Sequence, residues 1–134
     1  MSDEQREGED QLETNKSTVL AFYDLVVNQT DFEGAAPYLG PRFIQHRPDA
    51  PDGAEGLREF MQARHRKFPC SRVEVKRAFA DGDYVILHSH VVREPGTRGS
   101  AHVDIFRLER GRVVEHWDVD QPIPEQSANS NGVF

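Results

Sequence analysis

Several ionisable side chains occupy alternate positions of two candidate β-strands near the C-terminus. The stretch reads AHVDIFRLERGRVVEHWDVDQP, from Ala101 to Pro122. Its ionisable residues within the apolar alternation are His102, Asp104, His116, Asp118 and Asp120. A small domain normally buries valine or isoleucine at such positions, because a buried charge is costly unless it is paired or lines a hydrated cavity. The pattern therefore predicts either buried ion pairs or a working cavity.

The connection between the two strands decides which of these groups meet. Side chains alternate across a strand, so parity assigns each residue to a face. We expect a three-residue loop, Glu109-Arg110-Gly111, with the glycine in the left-handed position of a bulge, because Arg110 would be strained in a two-residue turn. This register places Asp104 directly opposite His116, and it places His102 opposite Asp118.

This set of residues suits proton transfer. A histidine held by an aspartate has a fixed tautomer, and a second carboxylate can take and return a proton near neutral pH. We expect Asp118 to be the acid/base residue and the Asp104–His116 pair to orient or tune it. The corresponding substrate is a carbonyl compound that loses an α-proton to form an enolate. The sequence has no Gly-x-Ser-x-Gly nucleophile motif and no phosphate-cradling glycine loop.

A metal site is the competing interpretation of the same histidines. His88-x-His90 can present two ligands to one ion from a strand, and His46, Asp104 or His116 could complete the set. The sequence lacks a His-Glu-x-x-His motif and a cysteine pair, however. We therefore expect neither a metal nor another cofactor.

Three helices are expected to precede the strands. Apolar residues recur at helical spacing in NKSTVLAFYDLVVNQ, in TDFEGAAPYLG with Asp31 as N-cap, and in DGAEGLREFMQARHRKF. In the third helix, Asp52 and Glu55 have the spacing of a capping box. A short strand candidate, RFIQHRP, carries His46. After Pro69 the period changes to two, which predicts at least four sequential antiparallel strands.

Helices followed by strands predict an α+β fold. We expect a cone-shaped, curved antiparallel sheet with the three N-terminal helices packed over its concave face. Residues 1–14 are acidic and show no periodicity, which predicts a disordered tail. Residues 15–134 are expected to form a single domain.

Composition excludes several classes of function. The formal net charge of −7 argues against a nucleic-acid-binding surface. No apolar run is long enough to span a membrane, and there is no signal-peptide pattern. The single cysteine, Cys70, excludes an intramolecular disulfide and fits a reducing compartment, so we expect a cytoplasmic protein.

Parts of the sequence resemble a known family. DGAEGLREFM, HVDIFRLERGRVVEHWDVDQPIPE and SANSNGVF are similar to the SnoaL-like polyketide cyclase group of the nuclear transport factor 2-like superfamily. The resemblance is closest to the predicted SnoaL-like aldol-condensation enzymes. It extends from about Asn15 to Phe134, and GRVVEHWDVDQP is its most specific part.

The resemblance implies a cone-shaped α+β barrel, usually a homodimer built on the outer face of the sheet. In the cyclases, an aspartate of the last strand acts as general acid/base without a cofactor, and Asp118 matches it. A histidine of the preceding strand assists there, and Asp104 stands in its place. By resemblance and parity together, we expect a substrate-binding cavity lined also by His46, His88, His90 and Phe106.

Two functional classes follow from these expectations. The first is a small-molecule lyase or isomerase of the aldol-condensation or cyclase type, acting on a carbonyl substrate. The second is a non-catalytic ligand-binding module of the same fold, because the superfamily includes both. The apolar residues on the other face of the last strands indicate a homodimer: Val103, Ile105, Trp117 and Val119.

Overall fold

The computed structural model describes residues 1–134. Two long helices and one short helix are interleaved with a first strand, and four strands follow. The elements are α1 (Asp3–Val27), α2 (Phe32–Ala35), a 3₁₀ turn (Ala36–Tyr38), β1 (Leu39–Gln45), α3 (Gly53–Lys67), β2 (Arg72–Asp81), β3 (Tyr84–Val92), β4 (Ser100–Glu109) and β5 (Arg112–Pro122). None of the helices is both long and apolar enough to cross a lipid bilayer.

The five strands form one curved, open sheet in the order β1-β5-β4-β3-β2. Strands β2 to β5 pair antiparallel in sequence order. β1 pairs with β5 in parallel, so the sheet is not antiparallel throughout as expected. The predicted α+β fold, with helices against a curved sheet, is otherwise confirmed.

The hydrophobic core lies between the inner face of the sheet and the helices. α1 contributes a buried stripe at helical spacing, α3 contributes two buried side chains, and the middle strands contribute alternate residues. The main members are Val19, Phe22, Val26, Leu57, Met61, Val85, Leu87, Val91, Phe106 and Leu108. Each fully buried aliphatic or aromatic side chain of this kind contributes about 1.5–3 kcal/mol of transfer free energy.

The first helix begins at Asp3, whereas the sequence predicts ordered structure from Asn15. Ser2 and Gln5 form a reciprocal capping box: the Ser2 hydroxyl accepts from the Gln5 amide, and the Gln5 side chain accepts from the Ser2 amide. No proline interrupts the chain before Val27, so the helix of the core continues back to this cap. Almost all residues before Asn15 are exposed, and the domain boundary at residue 15 stays a prediction.

The third helix has Asp52 at its N-cap, but the predicted capping box is absent. The Asp52 carboxylate accepts instead from the backbone amide of Gln45, at 2.7 Å. This hydrogen bond ties the start of α3 to the end of β1. It therefore fixes the segment from which Gln45 and Arg47 extend.

The turn between β4 and β5 differs from the prediction. Glu109 pairs with Arg112, so Arg110 and Gly111 form a two-residue turn, with φ of +52° and +76° respectively. Both residues have the left-handed conformation of the turn that best matches strand twist. The pairing of the long hairpin that this turn closes offsets the conformational strain at Arg110.

A β-bulge lies two residues beyond this turn. Leu108 pairs with Val113 but Arg107 pairs with Glu115, so Val114 is the extra residue on β5. Asp104 then lies opposite Asp118, and His102 lies opposite Asp120, in contrast to the predicted pairs. Because the bulge shifts the register by one residue, the even-numbered residues of β4 and β5 still share one face.

This turn generates a stability prediction. Gly111→Ala should lower the free energy of unfolding by about 1 kcal/mol, because alanine resists the left-handed conformation that Gly111 adopts. Arg110→Asn should raise it by about 0.5 kcal/mol, since asparagine tolerates that conformation better than arginine. Urea denaturation of both variants and of the wild type measures the changes. Unaltered stability of the alanine variant would contradict the two-residue turn.

Candidate functional site

A cavity of about 310 Å³ lies between the inner face of the sheet and helices α1 and α3. Its walls are mainly apolar and include Phe22 and Val26 of α1, Leu57 of α3, and Phe43 and Phe106 of the sheet. Ligand sites of soluble proteins typically combine such apolar walls with a few convergent polar groups. The polar groups of this cavity come largely from β4, β5 and the end of β1.

Three titratable residues meet in the cavity wall: Asp104, His116 and Asp118. One side-chain oxygen or nitrogen atom from each residue lies within 4.8 Å of those of the other two. His116 Nε2 lies 2.8 Å from Asp104 Oδ1, within hydrogen-bond distance. The structure therefore assembles the three residues that the sequence predicts as catalytic, although through the bulge and not through the predicted loop.

Asp104 is buried, and both of its oxygens are occupied. Oδ1 faces His116, and Oδ2 accepts a hydrogen bond from the Tyr23 hydroxyl at 2.9 Å. Burial, and then the negative charge of Asp104, raises the pKa of Tyr23 well above its ordinary value, so the phenol remains a donor. Each oxygen of Asp104 therefore already has one hydrogen-bond partner within the protein.

Both ring nitrogens of His116 face oxygen atoms. Nε2 lies against Asp104 Oδ1, and Nδ1 lies 2.8 Å from Gln45 Oε1. The Gln45 oxygen also accepts from the backbone amides of His46 and Arg47, which fixes it as an acceptor. An imidazole between two acceptors satisfies both contacts only when each nitrogen carries a proton. The geometry thus favours an imidazolium–carboxylate pair at His116 and Asp104.

Asp118 differs from Asp104 in having one free oxygen. Oδ2 accepts from Arg47 Nη1 at 2.9 Å, whereas Oδ1 has no hydrogen-bond partner. Arg47 also contacts Asp49 and lies over the ring of Phe60. Burial alone would lower the pKa of Arg47, but hydrogen bonds to Asp118 and Asp49 raise it, so the guanidinium is a permanent cation beside Asp118.

Arg47, Gln45 and Tyr23 are site residues that the sequence reasoning missed. Strand alternation could have found the first two, because they continue the inner face that buried Phe43 marks on β1. Tyr23 lies within the apolar stripe of α1, where it is the one hydroxyl that the stripe brings to the cavity. Nothing in the local sequence distinguishes it from a core aromatic.

Two of the expected substrate-binding histidines face away from the cavity. In the β3–β4 pairing, Leu87 lies opposite Asp104 and Ser89 lies opposite His102. The odd-numbered residues of β3 therefore share the inner face, and His88 and His90 lie on the outer face. The prediction that they line the cavity is wrong. Their rings pack instead against the side chain of Phe134, at centroid distances of 5.4 and 5.0 Å.

His46 also lies outside the cavity. Its ring stacks on Trp117 at 4.7 Å, and its Nε2 lies 2.7 Å from Glu115 Oε2 on the outer face. The alternation of β1 explains this position, because Gln45 and Arg47 on either side point inward. Of the four residues expected to bind substrate, only Phe106 lines the cavity.

The structure also bears on which residues could hold a metal. The ligand atoms of Asp104, His116 and Asp118 are close enough for one ion, and they form the only such group in the chain. The alternative set based on His88, His90 and His46 is not assembled. Within the group that is assembled, Tyr23 and Arg47 already occupy two of the carboxylate oxygens.

His102 borders the same cavity and is buried. Its Nε2 lies 2.7 Å from Asp120 Oδ1 but makes no hydrogen bond. Burial lowers the pKa of His102, and the nearby carboxylates of Asp104 and Asp120 only partly offset this effect. His102 is therefore held in its neutral form by the fold.

This shift predicts a pH dependence of stability. The pKa of His102 is lower in the folded chain than in the unfolded chain, so the unfolded chain binds the extra proton as the pH falls below about 6.5. The free energy of unfolding should decrease there with falling pH. His102→Gln should reduce this slope, as measured by urea denaturation between pH 5 and 8. An unchanged slope would contradict the assignment to His102.

The SnoaL-like domain family matches residues 19–116, and no curated protein matches the chain. The chain is similar to the structure of AclR, a proposed hydroxylase from Streptomyces galilaeus, with 25% identity and a TM-score of 0.67, covering 83% of this chain and 81% of that one.

Two further structures share the fold at lower identity. A proposed polyketide cyclase from Bacillus cereus has 20% identity and a TM-score of 0.69, covering 80% of this chain and 74% of that one. A proposed ketosteroid isomerase from Kribbella flavida has 18% identity and a TM-score of 0.69, covering 90% and 85%. The family match spans more than half of the sequence and includes the β4–β5 hairpin as far as His116. The chain therefore belongs to the SnoaL-like domain family, within the nuclear transport factor 2-like superfamily.

Proposed function

We propose that this protein is a small-molecule lyase or isomerase of the aldol-condensation or cyclase type. It removes an α-proton from a carbonyl substrate inside the cavity, through its own side chains and without a cofactor. The observation that supports this most strongly is the contrast between two neighbouring carboxylates. Asp104 has both oxygens engaged, whereas Asp118 presents a free oxygen in a largely apolar cavity.

Asp118 is the proposed acid/base residue. Its Oδ1 would take the α-proton and later return it, while Arg47 holds Oδ2 and fixes the orientation of the carboxylate. A base held in this way needs no rearrangement before proton transfer. The Asp104–His116 pair would hold β4 and β5 in place beside Asp118. Its imidazolium would contribute positive charge to the cavity.

The negative charge of the enolate would develop near these cations. Arg47 donates a hydrogen bond to Asp118, and a ring nitrogen of His116 lies within 4.8 Å of an Asp118 oxygen, so both can stabilise charge that appears on the substrate oxygen. Apolar walls around Phe22 and Phe106 restrict water and strengthen this electrostatic effect. Similar solved structures described as a polyketide cyclase and a ketosteroid isomerase agree with chemistry of this kind.

A non-catalytic ligand-binding module is the second candidate. The Arg47–Asp118 ion pair favours it, because the two charges already neutralise each other without any ligand. A binding protein needs only the shape and polarity of the cavity, whereas a catalyst also needs the free oxygen of Asp118. Substitution at Asp118 therefore separates the two functions.

The catalytic proposal predicts the effect of Asp118→Asn. A panel of ketones, 1,3-diketones and β-keto acids is incubated with the protein in D₂O, and NMR follows exchange of the α-protons. For a compound whose exchange the wild type accelerates, Asp118→Asn should lower the rate by roughly 10²–10⁴-fold and leave affinity nearly intact. Asp81→Asn removes an exposed carboxylate at the end of β2 and is the matched control.

Asp104→Asn should cost less activity than Asp118→Asn and mainly alter the pH profile, because it perturbs the imidazole and leaves the base in place. A chelator should change neither rate. If Asp118→Asn kept full activity while chelation abolished it, a metal held by Asp104, His116 and Asp118 would replace the proposal. If tight ligands showed no accelerated exchange, the binding module would replace it.

We also propose that the protein is a homodimer built on the outer face of the sheet. Phe79, Tyr84 and Val119 are 55%, 43% and 66% exposed on that face, and Val103, Ile105 and Trp117 are partly exposed beside them. A contiguous apolar face of this kind usually marks a subunit interface. A two-fold axis would cover the same residues on both copies.

Light scattering tests the dimer. The wild type should have the mass of two chains at micromolar concentration, and Val119→Asp should shift it towards one chain, because the substitution places a charge in the apolar contact. Ala54→Asp, at an exposed position of α3 away from the sheet, should leave the mass unchanged. A monomeric wild type would contradict the proposal.

A further inference from the structure

Two arginines of the cavity wall have no anionic partner. Arg64 of α3 donates one hydrogen bond, from Nη2 to Ser71 Oγ at 3.1 Å, and makes no ion pair. Arg93 follows β3 directly and lines the cavity, yet it makes neither a hydrogen bond nor an ion pair. Arg47 differs from both, because Asp118 and Asp49 neutralise it.

Arg64 and Arg93 line the same cavity, where their like charges oppose each other. Burial, and then the positive charge of Arg93, lowers the pKa of Arg64, but an arginine stays protonated in any protein. Two like charges in a partly buried site raise the free energy of the empty cavity, and an anion bound between them would relieve this cost. The dipole of α3 explains a cation in its last turn, but it does not explain Arg93.

The charge of the wall supports the same view. Four cationic side chains line the cavity, together with three carboxylates: Arg47, Arg64, Lys67 and Arg93 against Asp49, Asp104 and Asp118. The wall is therefore slightly positive in a chain whose net charge is −7. The net negative charge of the chain repels anions from most of its surface. The positive charge of the cavity wall, in contrast, attracts an anion into the cavity.

We infer that the substrate carries a carboxylate, which Arg64 and Arg93 bind while its carbonyl group faces Asp118. The substrate class is then a keto acid or a related carbonyl acid. This inference rests on the proposed function for the role of Asp118, although the anion site itself does not depend on catalysis. Arg64, Arg93 and Asp118 all line the same cavity, so one small molecule can contact all three.

A carboxylate fits these residues better than a phosphate. A guanidinium donates two parallel hydrogen bonds to a carboxylate, and two arginines saturate its oxygens. The cavity of about 310 Å³ is at the small end of ligand sites. Phosphate sites usually add a glycine-rich loop or a helix N-terminus, whereas Arg64 lies near the C-terminal end of α3.

Calorimetric titration of the full chain tests the anion site with three probes: 3-phenylpropanoate, its neutral amide, and 2-phenylethylphosphonate. The wild type should bind the carboxylate at least about tenfold more tightly than the amide, as expected for charge-assisted hydrogen bonds. In Arg64→Gln and Arg93→Gln this preference should fall to about twofold or less. Arg58→Gln, an exposed arginine on the same helix, should keep it.

The wild type alone already decides the main point, even if a variant fails to fold. Equal affinity for carboxylate and amide would overturn the inference, and so would tighter binding of the phosphonate than of the carboxylate. Retention of the full preference in both glutamine variants would also overturn it. None of these outcomes affects the exchange experiment on Asp118. If that experiment failed, a measured preference for the carboxylate would still stand. The two proposals can therefore be refuted separately.

Discussion

The extra residue at Val114 controls which side chains enter the cavity. The two-residue turn at Arg110 and Gly111 sets one register, in which His116 and Asp118 would lie on the outer face. The bulge at Val114 shifts β5 by one residue and returns both side chains to the inner face, opposite Phe106 and Asp104. The hydrogen bond between Asp104 and His116 exists because of this shift, and the free oxygen of Asp118 reaches the cavity for the same reason.

Polar contacts then connect this hairpin to the rest of the fold. Tyr23 joins α1 to Asp104, Gln45 joins β1 to His116, and Asp52 joins the start of α3 to Gln45. Tyr23, Asp104 and His116 are buried, and a buried polar group left without a partner costs about 1–3 kcal/mol. The hydrogen bonds among these three residues therefore favour one geometry of the cavity wall, and loss of any of the three should be costly.

Much of the architecture could be predicted from the sequence, because it depends on local patterns. Helical spacing indicated α1, α2 and α3, and alternation indicated the strands and the shared face of His116 and Asp118. The prediction that Asp104 joins that face depended on a three-residue loop, whereas the structure achieves it with a two-residue turn and a bulge. The turn was predicted wrongly because strain at Arg110 was weighed without the pairing it permits. The placement of His88 and His90 failed because it depends on how β3 aligns with β4, and the intervening loop does not reveal that alignment.

The most direct measurement is the protonation of the His116 ring, observed by ¹⁵N NMR at neutral pH in the wild type and in Asp104→Asn. The ring lies between Asp104 Oδ1 and Gln45 Oε1, and both contacts become hydrogen bonds only when each nitrogen carries a proton. Both nitrogens of His116 should then show the shifts of a protonated ring, and the Asp104→Asn variant should lose the proton from one of them. A wild-type ring with a single protonated nitrogen would contradict the imidazolium–carboxylate pair.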